Sequence, residues 1–153
     1  MEKYIFAFDL AMGSTGVTIF RDDASFILVA SIDTKKEKGH PKKLKKIADF
    51  VLDLKKQYPP HKIIIEGGFS RYNRSTQVLY RVHGLIQYLF CDFPQIIYPP
   101  MTVKKVVGGK GNMKKGELRE IIEKKYNVVF CNNDESDSFA VGLCYFIKEG
   151  IIK

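Results

Sequence analysis

Four carboxylates in this 153-residue chain stand at positions where chemistry is easier to explain than solvation. Glu66 follows Ile63, Ile64 and Ile65 and precedes Gly67, Gly68 and Phe69. Three β-branched apolar residues predict a buried strand. Such a strand does not end on an unpartnered charge without cost. Asp9 closes a second apolar run, YIFAFD at 4–9. Asp134 and Asp137 are three apart at the start of a predicted helix, so both project from one face. If the strands ending in Asp9 and Glu66 adjoin, and that helix begins over their ends, the four acids converge. Each also has an ordinary reading. Asp9 could cap the turn that follows it. Asp134 could cap its helix, and Asp137 could favour the helix dipole. Glu66 is followed by no cation in sequence before Arg71.

Taken jointly, the acids call for a cation. Two carboxylates about 5 Å apart repel by roughly 3 kcal/mol at an effective dielectric near 20. An all-oxygen cluster suits Mg²⁺ or Mn²⁺ rather than Zn²⁺. A pair of such ions can activate water and stabilise the leaving oxygen of a phosphodiester. Gly67 and Gly68, lacking Cβ atoms, would let a phosphate backbone approach. Phe69 with Arg71, Tyr72 and Arg74 suits stacking on an unpaired base and holding phosphates.

The rest of the chain must position these residues. Residues 4–9 alternate and are rich in aromatics, as a strand does. With 17–20 and 26–32 they predict an antiparallel meander of three strands. Leu44, Ile47, Ala48, Val51 and Leu52 lie on one helical face and predict a helix over 42–57, stopped by Tyr58, Pro59 and Pro60. Residues 62–66 and 95–100 read as short apolar strands of the parallel kind, with a helix over 72–90 between them. A helical turn and a glycine-lysine loop follow over 101–113. Helices are expected over 114–126 and 134–149, and 128–130 offer a further short strand. The pattern is α/β: a mixed five-stranded sheet flanked by helices. The length predicts one domain, residues 1–153.

Composition narrows the partner. The net charge is +8 and the pI about 9.3, which favours an anionic partner. Residues 35–46 hold seven lysines and one acid, and 102–117 hold five lysines and one acid. The three cysteines, Cys91, Cys131 and Cys144, are widely spaced. No CxxC occurs, which argues against a disulfide framework or a zinc site. No apolar run is long enough to span a membrane and no signal-peptide layout opens the chain. A soluble, cytoplasmic protein without a membrane partner is expected.

The segments FDLAMGSTG, IIIEGGF, VKKVVGGKGNMKK and DESDS, in that order and spacing, resemble the RuvC-type Holliday-junction resolvases of the ribonuclease H-like superfamily. The matching residues are Asp9, Thr15, Gly16, Glu66, Phe69, Lys104, Gly109, Gly111, Lys115, Asp134 and Asp137. The resemblance implies a ribonuclease H-like fold and a homodimer that nicks four-way DNA junctions in symmetric pairs. It implies that Asp9, Glu66, Asp134 and Asp137 bind two Mg²⁺ ions per subunit, for which Mn²⁺ can substitute. Lys115 joins them in the catalytic set. Phe69 would stack at the junction centre, and Lys104, Lys105, Lys110, Lys114 and Lys115 would contact phosphates. The chain lacks the Pro-Gly that often follows the first Asp, has Ser138 where Ala is usual, and is short. These features resemble the divergent, phage-encoded branch, whose members cut forks and flaps as well.

Two other readings fit less well. A nuclease of the same fold could act on RNA or RNA–DNA hybrid. A basic DNA-binding protein without catalysis would gain nothing from four acids placed against phosphates.

Overall fold

The computed structural model describes residues 2–68, 74–114 and 116–153. In chain order the elements are β1 (Tyr4–Asp9), β2 (Ser14–Phe20), β3 (Phe26–Asp33), α1 (His40–Gln57), β4 (Pro60–Glu66), α2 (Arg74–Leu89) and β5 (Gln95–Tyr98). A short α3 (Pro100–Val103) runs into a π-helical turn at Lys104–Gly108, and α4 (Glu117–Tyr126) and α5 (Asn133–Lys148) complete the chain. The sheet order is β3-β2-β1-β4-β5. β1 is antiparallel to β2 and parallel to β4, so the expected meander and the parallel strands meet at β1.

Alternation along each strand divides the core into two layers. Ile5, Ala7 and Ile64 pack on one face of the sheet, with α5 and α4. Phe6, Phe8, Ile63 and Ile65 pack on the other, with α1 and α2. The β1–β4 register skips His61, since Tyr4 pairs with Pro60 and Ile5 with Lys62. The displaced His61 ring meets Asp22 at 2.6 Å. No helix among the described residues is long and apolar enough to cross a membrane.

Two expected elements differ. Residues 128–130 form no strand. Phe130 is buried, but its N–H is taken by Glu123 Oε2 (3.0 Å) and its carbonyl by Arg119, both side chains of α4. Its backbone groups are satisfied without a ladder. β5 stops at Tyr98 because Pro99 and Pro100 supply no N–H and instead open α3.

Helix α5 sits unusually close to the sheet, and two glycines permit it. A Cβ on Gly16 of β2 would collide with the backbone carbonyl of Asp134. A Cβ on Gly142 would collide with the ring of Phe20, which is fully buried. Between these contacts Thr18 Oγ1 and Ser138 Oγ lie 2.8 Å apart, both buried. Ser138 donates its proton to the carbonyl of Glu135 (2.9 Å), so Thr18 is the donor in the pair. Ser138 therefore bonds the helix to β2.

Gly16→Ala is expected to destabilise the protein by about 1–3 kcal/mol, because backbone opposes the new methyl. Gly142→Ala should cost a similar amount but be partly rescued by Phe20→Leu, which shrinks the opposing ring. Urea unfolding of the single and double variants measures both, and equal rescue at the two sites would contradict the assignment.

Candidate active site

The carboxyl ends of β1 and β4 lie side by side in the middle of the sheet. Asp9 and Glu66 are the last residues of those strands. Asp9 shares the parity of Ile5 and Ala7, and Glu66 that of Ile64, so both face α5. Asp137 descends from the second turn of α5. Asp9, Glu66 and Asp137 line one cleft of about 260 Å³, together with Lys104 from the π-helical turn and Lys114 from the loop before α4. Leu10, Leu79, Val103 and Leu118 form its apolar walls.

Three of the four expected acids thus share the cleft. Asp134 is not among the residues lining it; this partly exposed residue is held by its backbone against Gly16. Neither aspartate caps α5. The N-cap is Asn132, whose side chain accepts the Glu135 N–H (2.9 Å), while Glu135 Oε1 accepts the Cys131 N–H (3.0 Å). Asn132 also donates to Ser31 Oγ on β3 (2.9 Å), which fixes where the helix begins.

Glu66 has the most perturbed charge in the cleft. Burial, and next the neighbouring Asp137 carboxylate, push its pKa up from 4.5 to about 7, with Lys104 opposing. The cluster is short of positive charge. Among the described residues no group of three or more His, Cys, Asp or Glu side chains is placed to hold a metal ion. The donor chemistry nonetheless fits a hard divalent cation. The acids offer only oxygen, and a cation would relieve the repulsion between Glu66 and Asp137.

The expected basic residues divide. Lys104 and Lys114 line the cleft. Lys105 and Lys110 are exposed outside it, with Lys110 within 3.7 Å of Glu117. Arg74 is exposed at the start of α2. Phe69, Arg71, Tyr72 and Lys115 lie outside the described residues. Gly67 and Gly68 line the cleft as expected, and neighbouring side chains close in on both. A Cβ would come within 3.0 Å of Ile97 at Gly67 and 2.9 Å of Leu79 at Gly68.

Two features of the site were not expected. His83 forms part of the wall and is buried, and burial holds its pKa below the ordinary 6.5, so the ring is neutral. Its spacing of four from Leu79, also in the wall, was the available signal. The other feature is the π-helical turn. A π-turn carries an extra residue and often marks a functional site. Here Lys104 lines the cleft while Val106 and Val107 pack on the α5-side core.

The family model for crossover junction endodeoxyribonuclease RuvC matches residues 5–145. The chain belongs to that family. A RuvC from Christiangramia forsetii is 28% identical over 91% of this chain and 75% of its own length. The Ehrlichia chaffeensis RuvC is 29% identical over 92% of this chain and 94% of its own. The fold matches that of Thermus thermophilus RuvC, solved in complex with Holliday junction substrate, with a TM-score of 0.79 and 16% identity; the match covers 96% of this chain and 94% of that one. The five-stranded mixed sheet between helical layers is therefore the RuvC fold.

The raised pKa of Glu66 has a measurable consequence. Between pH 4.5 and about 7 the folded carboxyl keeps its proton while the unfolded one has lost it. Stability therefore falls as pH rises through that window. The total loss is about 3 kcal/mol at roughly 1.36 kcal/mol per unit. Glu66→Gln removes this slope. In urea melts without metal, the variant should match the wild type below pH 4.5 and exceed it above pH 7. A constant difference across the range would refute the burial argument.

Proposed function

We propose that this RuvC-family protein is a metal-dependent endodeoxyribonuclease that resolves four-way DNA junctions by paired nicks. The observation that carries the reading is the cleft itself. Carboxylates from β1, β4 and α5 meet in it, and lysines from the segment after β5 line it too. Metal dependence is general to the RuvC family. On this reading Asp9, Glu66 and Asp137 would hold Mg²⁺, with Asp134 the fourth expected ligand. When bound, these ions supply the activated water and neutralise charge on the leaving oxygen.

The chain's own residues do the rest. Lys104 and Lys114 offset the charge of the scissile phosphate, with Lys115 beside them in sequence. Lys105, Lys110, Arg71 and Arg74 hold the flanking backbone. Phe69 and Tyr72 stack on bases unpaired at the branch point. Neutral His83 and the apolar wall limit water around Glu66, which strengthens electrostatics in the cleft. A homodimer matches the two-fold symmetry of the substrate. Tyr80 and Tyr88 on α2 (49% and 74% exposed) and Ile97 on edge strand β5 (47% exposed) support a dimer surface there.

The test uses labelled four-way junction, fork, flap, linear duplex and RNA–DNA hybrid, each with Mg²⁺ or EDTA. Mg²⁺-dependent paired nicks in the junction are expected. Cutting of the hybrid alone would mark an RNA-processing nuclease on this fold, and tight binding without cutting would mark a binding protein. Asp9→Asn should lower cutting at least 100-fold while junction affinity holds or rises, since a charge that repels DNA is gone. Normal cutting by that variant would show that the acids are misassigned.

A further inference from the structure

The lysine run at 35–46 is not used by the cleft, yet the topology brings it to the same end of the molecule. β3 and β1 are both antiparallel to β2, so their carboxyl ends point the same way. The segment after β3 therefore emerges beside the segment after Asp9. It is also fastened there. Thr34, fully buried, donates its hydroxyl to the Met12 carbonyl, and its N–H meets the Gly13 carbonyl at 3.0 Å. The Lys35 side chain lies against Gly13, 3.6 Å from where a Cβ would be.

Charge in this segment is arranged against the local preference. The first turn of α1 holds no acid, no side chain caps it, and it carries Lys42 and Lys43. Cations at the positive end of a helix dipole are unfavourable. Glu37, the acid within the run, lies 3.5 Å from Lys46, and Lys45 pairs with Asp49 at 2.7 Å. Among the described residues, Lys35, Lys36, Lys38, Lys42 and Lys43 have no ion-pair partner, and all but the half-buried Lys43 are exposed. Arg81 of α2 extends the patch by reaching His40 at 2.8 Å. Five lysines of the run are thus left without an ion pair among the described residues, an arrangement that suits an external polyanion.

We propose that Lys35, Lys36, Lys38, Lys42, Lys43 and Arg81 form a second phosphate track, which holds a DNA arm on the side of the cleft opposite the Lys104–Lys114 segment. This rests on the nuclease reading and deepens it. In sheet order the acids of β1 and β4 stand between the segment after β3 and the segment after β5. β3 is two strands from β1, about 10 Å at roughly 4.8 Å per strand.

The test is the salt dependence of four-way junction binding, measured by fluorescence anisotropy. Wild type is compared with K35Q/K36Q/K38Q, K35R/K36R/K38R and a K124Q/K125Q control at the far end of α4. The Gln triple should lower the slope of log K against log salt by about two to three units, at roughly 0.9 per lost phosphate contact. The Arg triple and the control should keep the wild-type slope. A Gln triple with the wild-type slope overturns the second track and leaves the nuclease reading intact. An equal drop in the control also overturns it, because net charge alone would then explain the effect. A wild-type protein that binds no DNA overturns both readings together.

Discussion

The approach of α5 to β2 at a residue without a side chain is the contact on which the site depends. A helix packed on a sheet is normally held off it by the side chains of both. At Gly16 no Cβ intervenes, and the Asp134 carbonyl occupies that space. The Thr18–Ser138 hydroxyl pair and the Asn132 cap then fix the rotation and the starting residue of the helix. Without that depth, an aspartate on α5 would face β1 and β4 across a layer of side chains. With it, Asp137 enters the cleft that Asp9 and Glu66 line.

What the close approach creates is an electrostatic debt. Negative groups are gathered at partial burial, and Glu66 keeps a proton to about neutral pH as the response. Lys104 reduces the imbalance without cancelling it. The fold tolerates this because apolar layers on both sides of the sheet carry the stability. A site that holds its charges at a loss is ready to accept cations from solution.

Much of this was legible in the sequence because it follows from local periodicity. The isoleucine run at 63–65 and the alternation in β1 located both strand-end acids, and Asp134 and Asp137 announced the start of α5. The ordinary reading of Asp134 as the helix cap fails because Asn132, two residues earlier, takes that role by accepting the Glu135 N–H. The strand at 128–130 failed because Glu123 and Arg119, side chains of the preceding helix, satisfy the Phe130 backbone. Gly16 was visible as one of the residues matching the family, but its steric role requires knowing what packs above it. His83 was hidden for a similar reason. Its one mark, a spacing of four from Leu79, gains meaning only once Leu79 is known to border the cleft.

The bulge at His61 also has a bearing on how such a chain can change over generations. Strand pairing counts residues by twos, and an odd error turns every later side chain to the opposite face. By ejecting His61 at the entrance to β4, the sheet resets that count far from the carboxyl end. Gains or losses of a residue in the connection from α1 can be absorbed there, as a shifted bulge. From Lys62 to Glu66 no such slack exists. One deletion in that stretch would turn the carboxylate into the Phe6–Phe8 layer, so drift in length is confined to one end of the strand and forbidden at the other.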